Sequence, residues 1–234
     1  MINLNKFKGF TLAEVLVTLG IIGVVSAMTI PTLMQNHQRK TYVTQLHKVY
    51  NEIQQVFSLV MTEQNALNLS EAGVSTNENA YETFKKFFKV VNDCGDTPTP
   101  CFANEYRGLD GSTYSPAKSS RCAYTLSLAS GAAICFNGMV YSYKHNDKTY
   151  PYGFIYVDIN GAQGPNIAGR DYFLLYYFND GSIDEESATP QCRQVGSCGS
   201  YSSPQEARRK SNCSDSWPGG CLGKIINDNW QMTY

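Results

Sequence analysis

The chain has 234 residues, 42% of them apolar, and its 16 Tyr and 11 Phe supply enough surface to bury that a long disordered polypeptide is excluded. Its 19 basic and 20 acidic residues leave a formal charge of −1. That disfavours a general electrostatic nucleic-acid binder, which needs a basic face to displace phosphate counterions. Mean hydropathy is −0.31, so a polytopic membrane protein is excluded as well.

Residues 1–9 read MINLNKFKG, with Lys6 and Lys8 positive and no acid. From Phe10 an apolar run, FTLAEVLVTLGIIGVVSAMTIP, continues for about 22 residues, or about 33 Å as a helix, enough to cross a bilayer core. Nearby positive charge lies only on its N-terminal side, which predicts that end in the cytoplasm and the rest of the chain outside it. Glu14 lies inside the run, where a carboxylate is costly without a partner and marks a functional position. The competing reading is a secretory signal peptide cut after Val25-Ser26-Ala27, but an acid in its apolar region and the length of the run argue against that.

Lys8-Gly9-Phe10-Thr11-Leu12-Ala13-Glu14 resembles the prepilin cleavage motif of type IV pilins and type II secretion pseudopilins. A short basic leader ends in Gly9, Phe10 follows, Glu14 is the fifth residue of the mature chain, and Pro31 stands where type IV pilins commonly carry a kinking proline. The resemblance implies cleavage between Gly9 and Phe10 by a membrane prepilin peptidase and N-methylation of the new Phe10 amine. It implies three segments: a leader (1–9), a transmembrane and filament-core helix (10–34), and a periplasmic or extracellular globular domain (35–234). It also implies an inner-membrane, single-pass protein that leaves lipid to join other pilin or pseudopilin subunits on an assembly platform. Glu14 would then face the Phe10 amine of a neighbouring subunit, or serve recruitment through the platform. Gly20 and Gly23 either permit close helix packing or reflect ordinary glycine tolerance in membrane helices.

Past Pro31, Tyr42, Val43, Leu46, Val49, Tyr50, Ile53, Val56, Phe57, Val60, Met61 and Leu67 recur every three or four residues. This stripe continues the helix to about Leu67 and asks for a globular partner along one face. His37 and His47 read as surface or packing residues on it. Residues 68–79 read as a loop. Tyr81, Phe84, Phe87, Phe88 and Val91 mark a second helix, with Lys85, Lys86 and Lys89 on its solvated side. Residues 93–121 are turn-rich, with Pro98, Pro100 and Pro116.

The period then becomes two. Candidate strands are 122–129, 132–136, 139–144, 153–159 and 172–178, with Ser130-Gly131 and Asn137-Gly138 as hairpin turns. The expected fold class is α+β, a long N-terminal helix packed on an antiparallel meander with a disulfide-rich, irregular C-terminal region. Residues 158–171, from DINGAQGPN to GRD, resemble a loop frequent in pilin-like sequences. Asp158, Asn160 and Asp171 offer either oxygen ligands for Ca²⁺ or Asx caps of a backbone turn. The twelfth position is Gly169, so the segment is no EF-hand. No other cofactor is expected.

Residues 187–234 read as irregular, with Ser203-Pro204 opening a short helix through Arg209. Trp230 and Tyr234 are expected to pack back on the sheet or to form an exposed aromatic patch. All eight cysteines, Cys94, Cys101, Cys122, Cys135, Cys192, Cys198, Cys213 and Cys221, lie beyond the apolar run, which argues for four disulfides. Eight cysteines allow 105 pairings; the working expectation pairs neighbours in sequence. Zinc is disfavoured by the absence of a CxxC knuckle. Three functional classes follow: a filament subunit, a pilin-anchored surface protein binding DNA, a host surface or a secreted substrate, and, last, an anchored enzyme.

Overall fold

The computed structural model describes residues 9–114, 122–196, 198–210, 213 and 217–234; Lys6, Lys8 and Pro116 lie outside the described residues. The chain divides into two compact units, Met1–Lys40 and Thr41–Tyr234. One helix, α1 (Leu12–Glu63), contains Pro31 and spans the division. In the first unit its apolar side chains are exposed, Leu16, Leu19, Ile22 and Leu33 among them. In the second unit the three-and-four spacing turns Val43, Leu46, Val49, Ile53, Val56, Phe57 and Val60 into the core. Burial of each such side chain contributes about 1.5–3 kcal/mol.

The helix stops four residues short of Leu67. Asn65 takes a left-handed φ of 49°, and the Ala66 N–H donates to the Met61 carbonyl at 2.9 Å, a closure that satisfies orphan carbonyls and cannot be continued. The segment 68–79, expected as a loop, holds a turn of π-helix (Ser70–Val74) that buries Ala72 and Val74. It also holds the start of α2 (Asn77–Phe87), whose cap Thr76 accepts the Asn79 N–H at 3.1 Å. Ala80 and Phe84 face inward. Lys85 and Lys86 pair with Asp93 (2.7 Å) and Glu63 (3.4 Å) on the wet side. Val91 is not on this helix. It is 72% exposed in β1 (Val90–Gly95), an edge strand that runs from the expected helix end into the segment read as turns.

After a two-stranded ribbon, β2 (Tyr106–Arg107) with β3 (Thr113–Tyr114), come β4 (Tyr124–Leu128), β5 (Ala133–Phe136), β6 (Tyr141–His145), β7 (Lys148–Asp158), β8 (Tyr172–Phe178) and β9 (Ile183–Asp184). The main sheet is antiparallel in the order β1-β4-β5-β7-β8-β9, with β6 paired to the first part of β7. The α+β layout stands. Ser130-Gly131 makes the expected hairpin between β4 and β5, with Gly131 at φ +94°.

Asn137-Gly138 does not turn β5 into β6. Asn137 stays beside β7, where its Oδ1 accepts the Phe154 N–H at 3.0 Å. Gly138 meets the N-terminus of α2: its N–H donates to Asn77 Oδ1 at 2.9 Å, and a Cβ would sit 2.2 Å from the Thr76 carbonyl oxygen. The β6–β7 turn is instead Asn146-Asp147, with φ values of 47° and 62°. Strand β7 therefore begins at Lys148 rather than at 153. Pro151 is tolerated there because this stretch pairs only with β6, β8 joining from Tyr152.

The sheet is apolar on both faces. Ile134, Phe136, Ile155, Val157, Phe173, Leu175 and Tyr177 pack on the α1–α2 side. Phe154, Tyr156, Tyr172, Leu174, Tyr176 and Phe178 form a second core with Phe102 and Tyr106. A strand buried on both faces reads as a continuous run, which is why β8 is YFLLYYF.

All four expected disulfides are present: Cys94–Cys101, Cys122–Cys135, Cys192–Cys198 and Cys213–Cys221. Each closes a short loop, which in a chain-entropy account stabilises by roughly 2.5–3 kcal/mol. The C-terminal region is more ordered than its composition suggests. It carries α3 (Pro190–Val195), α4 (Pro204–Arg209) and α5 (Cys221–Asn227). α4 starts as expected, with Pro204 first and Ser203 accepting the Glu206 N–H. Trp230 packs on the helix rather than the sheet, stacked on His47 at 4.0 Å and edge-on to Tyr50 at 5.2 Å. Tyr234 donates its hydroxyl to the Gly169 carbonyl at 2.7 Å.

Candidate processing and assembly site

The chain enters α1 through a reciprocal cap. Glu14 N–H donates to Thr11 Oγ1 at 3.2 Å, while Glu14 Oε2 accepts from Thr11 N–H at 2.8 Å and from Thr11 Oγ1 at 2.9 Å. This is the capping box that Thr-x-x-Glu encodes. The sequence reading assigned Glu14 to assembly and missed Thr11, although the Thr11–Glu14 spacing carries the signal. The cap gives the carboxylate an intrachain partner and orients it toward the chain end that cleavage after Gly9 would create.

Phe10 is 89% exposed, next to the Gly9–Phe10 bond. Beyond it two hydroxyls of the apolar half bond back to their own helix. Thr18 and Thr29 donate to the carbonyls of Val15 and Val25, both at 2.9 Å, so neither hydroxyl asks for water. A Cβ added at Gly20 or Gly23 would touch nothing within 4 Å, leaving both as open surface on the helix. Pro31 donates no N–H to the turn before it. α1 is long and apolar enough to cross a membrane by length and composition.

The loop after β7 is a separate site. Asp158 is buried; its Oδ2 accepts the Tyr106 hydroxyl and its Oδ1 accepts the Asn160 N–H at 3.1 Å. Asp171 accepts the N–H groups of Asn166 (2.7 Å) and Ile167 (2.6 Å). Asn160 Nδ2 donates to the carbonyls of Gln163 and Gly164. Burial raises both carboxyls, Asp158 to about 8, against the lowering effect of their donors. The four carboxylate oxygens thus face the chain's own donors, which is the Asx-capped turn. Among the described residues no group of three or more His, Cys, Asp or Glu could hold a metal ion.

Residues 4–30 match the family model of the prokaryotic N-terminal methylation motif. The motif is that of type IV pilin and pseudopilin precursors, which a prepilin peptidase processes and which assemble with other such subunits. Comparison with curated proteins and with solved structures finds no match to the chain.

Proposed function

We propose that the chain is a structural subunit of a type IV pilus or a type II secretion filament, anchored by α1 in the inner membrane until assembly. The observation that carries this is a single acid, Glu14, in the first turn of an exposed apolar helix and inside the match to the methylation motif. Cleavage would create a positive amine at Phe10. In a staggered array that amine approaches Glu14 of an adjacent subunit, and each charge relieves the cost of the other at one register only. Removing one partner from a buried pair costs about 3–5 kcal/mol. The rest of α1 gains no fresh hydrophobic drive on leaving lipid, so packing and this pair must select the register.

The reading is tested by Glu14→Ala in the native host. Filaments are expected to disappear while the chain still accumulates in the membrane with its disulfides formed; normal filaments would overturn the proposal. A second reading, a surface binding protein mounted on a pilin helix, is favoured by the aromatic outer face of the sheet. It predicts filaments that persist without this chain but lose adhesion or uptake.

A further inference from the structure

The outer face of the sheet carries tyrosine where aliphatic side chains would fill space as well. Register places Tyr141 of β6 opposite Tyr152 of β7, and Phe154 of β7 opposite Tyr176 of β8. With Tyr156 and Glu186 these residues wall a cleft of about 130 Å³. Tyr141, 37% exposed, stands at its edge, its ring 5.8 Å from Tyr152 and 5.1 Å from Phe154. Tyr152 and Tyr176 lie 6.0 Å apart. The Tyr152 hydroxyl donates to Glu186 Oε1 at 3.2 Å. Glu186 is the one charged residue among the described residues of the lining.

We propose that this cleft binds one pyranose unit of a neutral or amino-substituted glycan. The cleft is small and local, so it offers room for one ring rather than for an extended chain. A pyranose presents a face of weakly positive C–H groups, which suits the negative face of an aromatic ring. Its hydroxyls radiate to the rim, where tyrosine hydroxyls both donate and accept and a carboxylate accepts. Other occupants fit less well. An apolar side chain would leave those rim groups facing hydrocarbon. A nucleic-acid strand needs cations beside its stacking platforms, whereas this lining bears a negative charge. Uronic and sialic acids meet the same repulsion, and the ammonium of an amino sugar is attracted. The walls come from paired strands, so the site is formed before the ligand arrives and little ordering is lost on binding. The inference does not depend on the filament reading.

The test is calorimetric titration of the full chain in a zwitterionic detergent that contains no sugar. The probes are the hexamers of N-acetylglucosamine and glucosamine, with hexagalacturonate as the anionic control. Saturable binding of either of the first two, with none of the third, is expected. Tyr141→Ala should weaken it at least tenfold. Glu186→Gln should weaken the glucosamine hexamer by a larger factor than the N-acetylated one. Both changes lie at the surface of the cleft, and an unchanged melting temperature verifies the fold. The proposal is overturned if neither saccharide binds at millimolar concentration, if hexagalacturonate binds equally well, or if both variants bind as the parent does.

Discussion

Replacing Asp184 by Asn should loosen the C-terminal segment, residues 190–234, from the sheet. Asp184 sits in β9 with its side chain 2% exposed. It accepts Arg208 Nε and Nη2 from α4, both at 2.7 Å, while Arg193 Nε of α3 lies 3.6 Å away. One carboxylate therefore ties two short helices that have little core of their own. The Asn variant keeps the shape but leaves two guanidiniums, 15% and 25% exposed, around a neutral group with a single acceptor oxygen. Breaking a buried pair costs about 3–5 kcal/mol. The residual solvent contact of both arginines puts the cost at the low end, about 3 kcal/mol. At about 2–4 °C per kcal/mol for a unit of this size, the melting temperature should fall by roughly 6–12 °C. Circular dichroism of the full chain measures the shift, and limited proteolysis should show residues 190–234 cut first. A double-mutant cycle with Arg208→Met should return a coupling of at least about 1.5 kcal/mol. A melting temperature within a degree of the parent, with no coupling, refutes the reasoning.

Gly138→Ala should cost on the order of 3 kcal/mol in a denaturant titration, because the new Cβ meets the Thr76 carbonyl, backbone that cannot swing aside; a loss below about 0.5 kcal/mol would mean that α2 does not approach so closely. Stability should also fall as pH rises from about 5 to 8. Burial pushes the Glu185 carboxyl up to about 8, whereas the unfolded chain titrates near 4.5. Between those values the folded state binds the proton more tightly, so its contribution is complete at the acid end and is lost toward pH 8. Asp158, pushed up to about 8, acts in the same direction. Denaturation midpoints across that range should drop, and Glu185→Gln should flatten part of the drop and raise stability at pH 8. A parent profile that is flat or rising contradicts this.

What the sequence disclosed followed from local rules. The α1 stripe, the Ser203-Pro204 helix start and the Ser130-Gly131 turn each depend on neighbours a few residues away. The four disulfides link cysteines adjacent in the cysteine order, so a simple local pairing expectation met them. Long-range contacts decided the remainder. Asn137-Gly138 carries a hairpin signal, but its polar groups are taken by Phe154, Asn77 and the Tyr177 hydroxyl, which donates to the Asn137 carbonyl. The true turn, Asn146-Asp147, lacks the glycine that makes such a signal readable. Strand β1 was hidden because Val91 looked like one more apolar position of α2. At the N-terminus Glu14 stood out as the lone acid of an apolar run. Its bond to Thr11 was equally present in the Thr-x-x-Glu spacing and was masked by the larger question that the acid raised. The tyrosine cleft could not be read from the sequence, since it exists only when β6, β7 and β8 are in register.

The most direct test is intact and N-terminal mass spectrometry of the protein purified from its native membrane. A chain beginning at Phe10 with one added methyl group on its amine is the predicted result. A chain beginning at Met28, as an ordinary signal-peptide cut would leave it, or one still carrying Met1, would contradict the account.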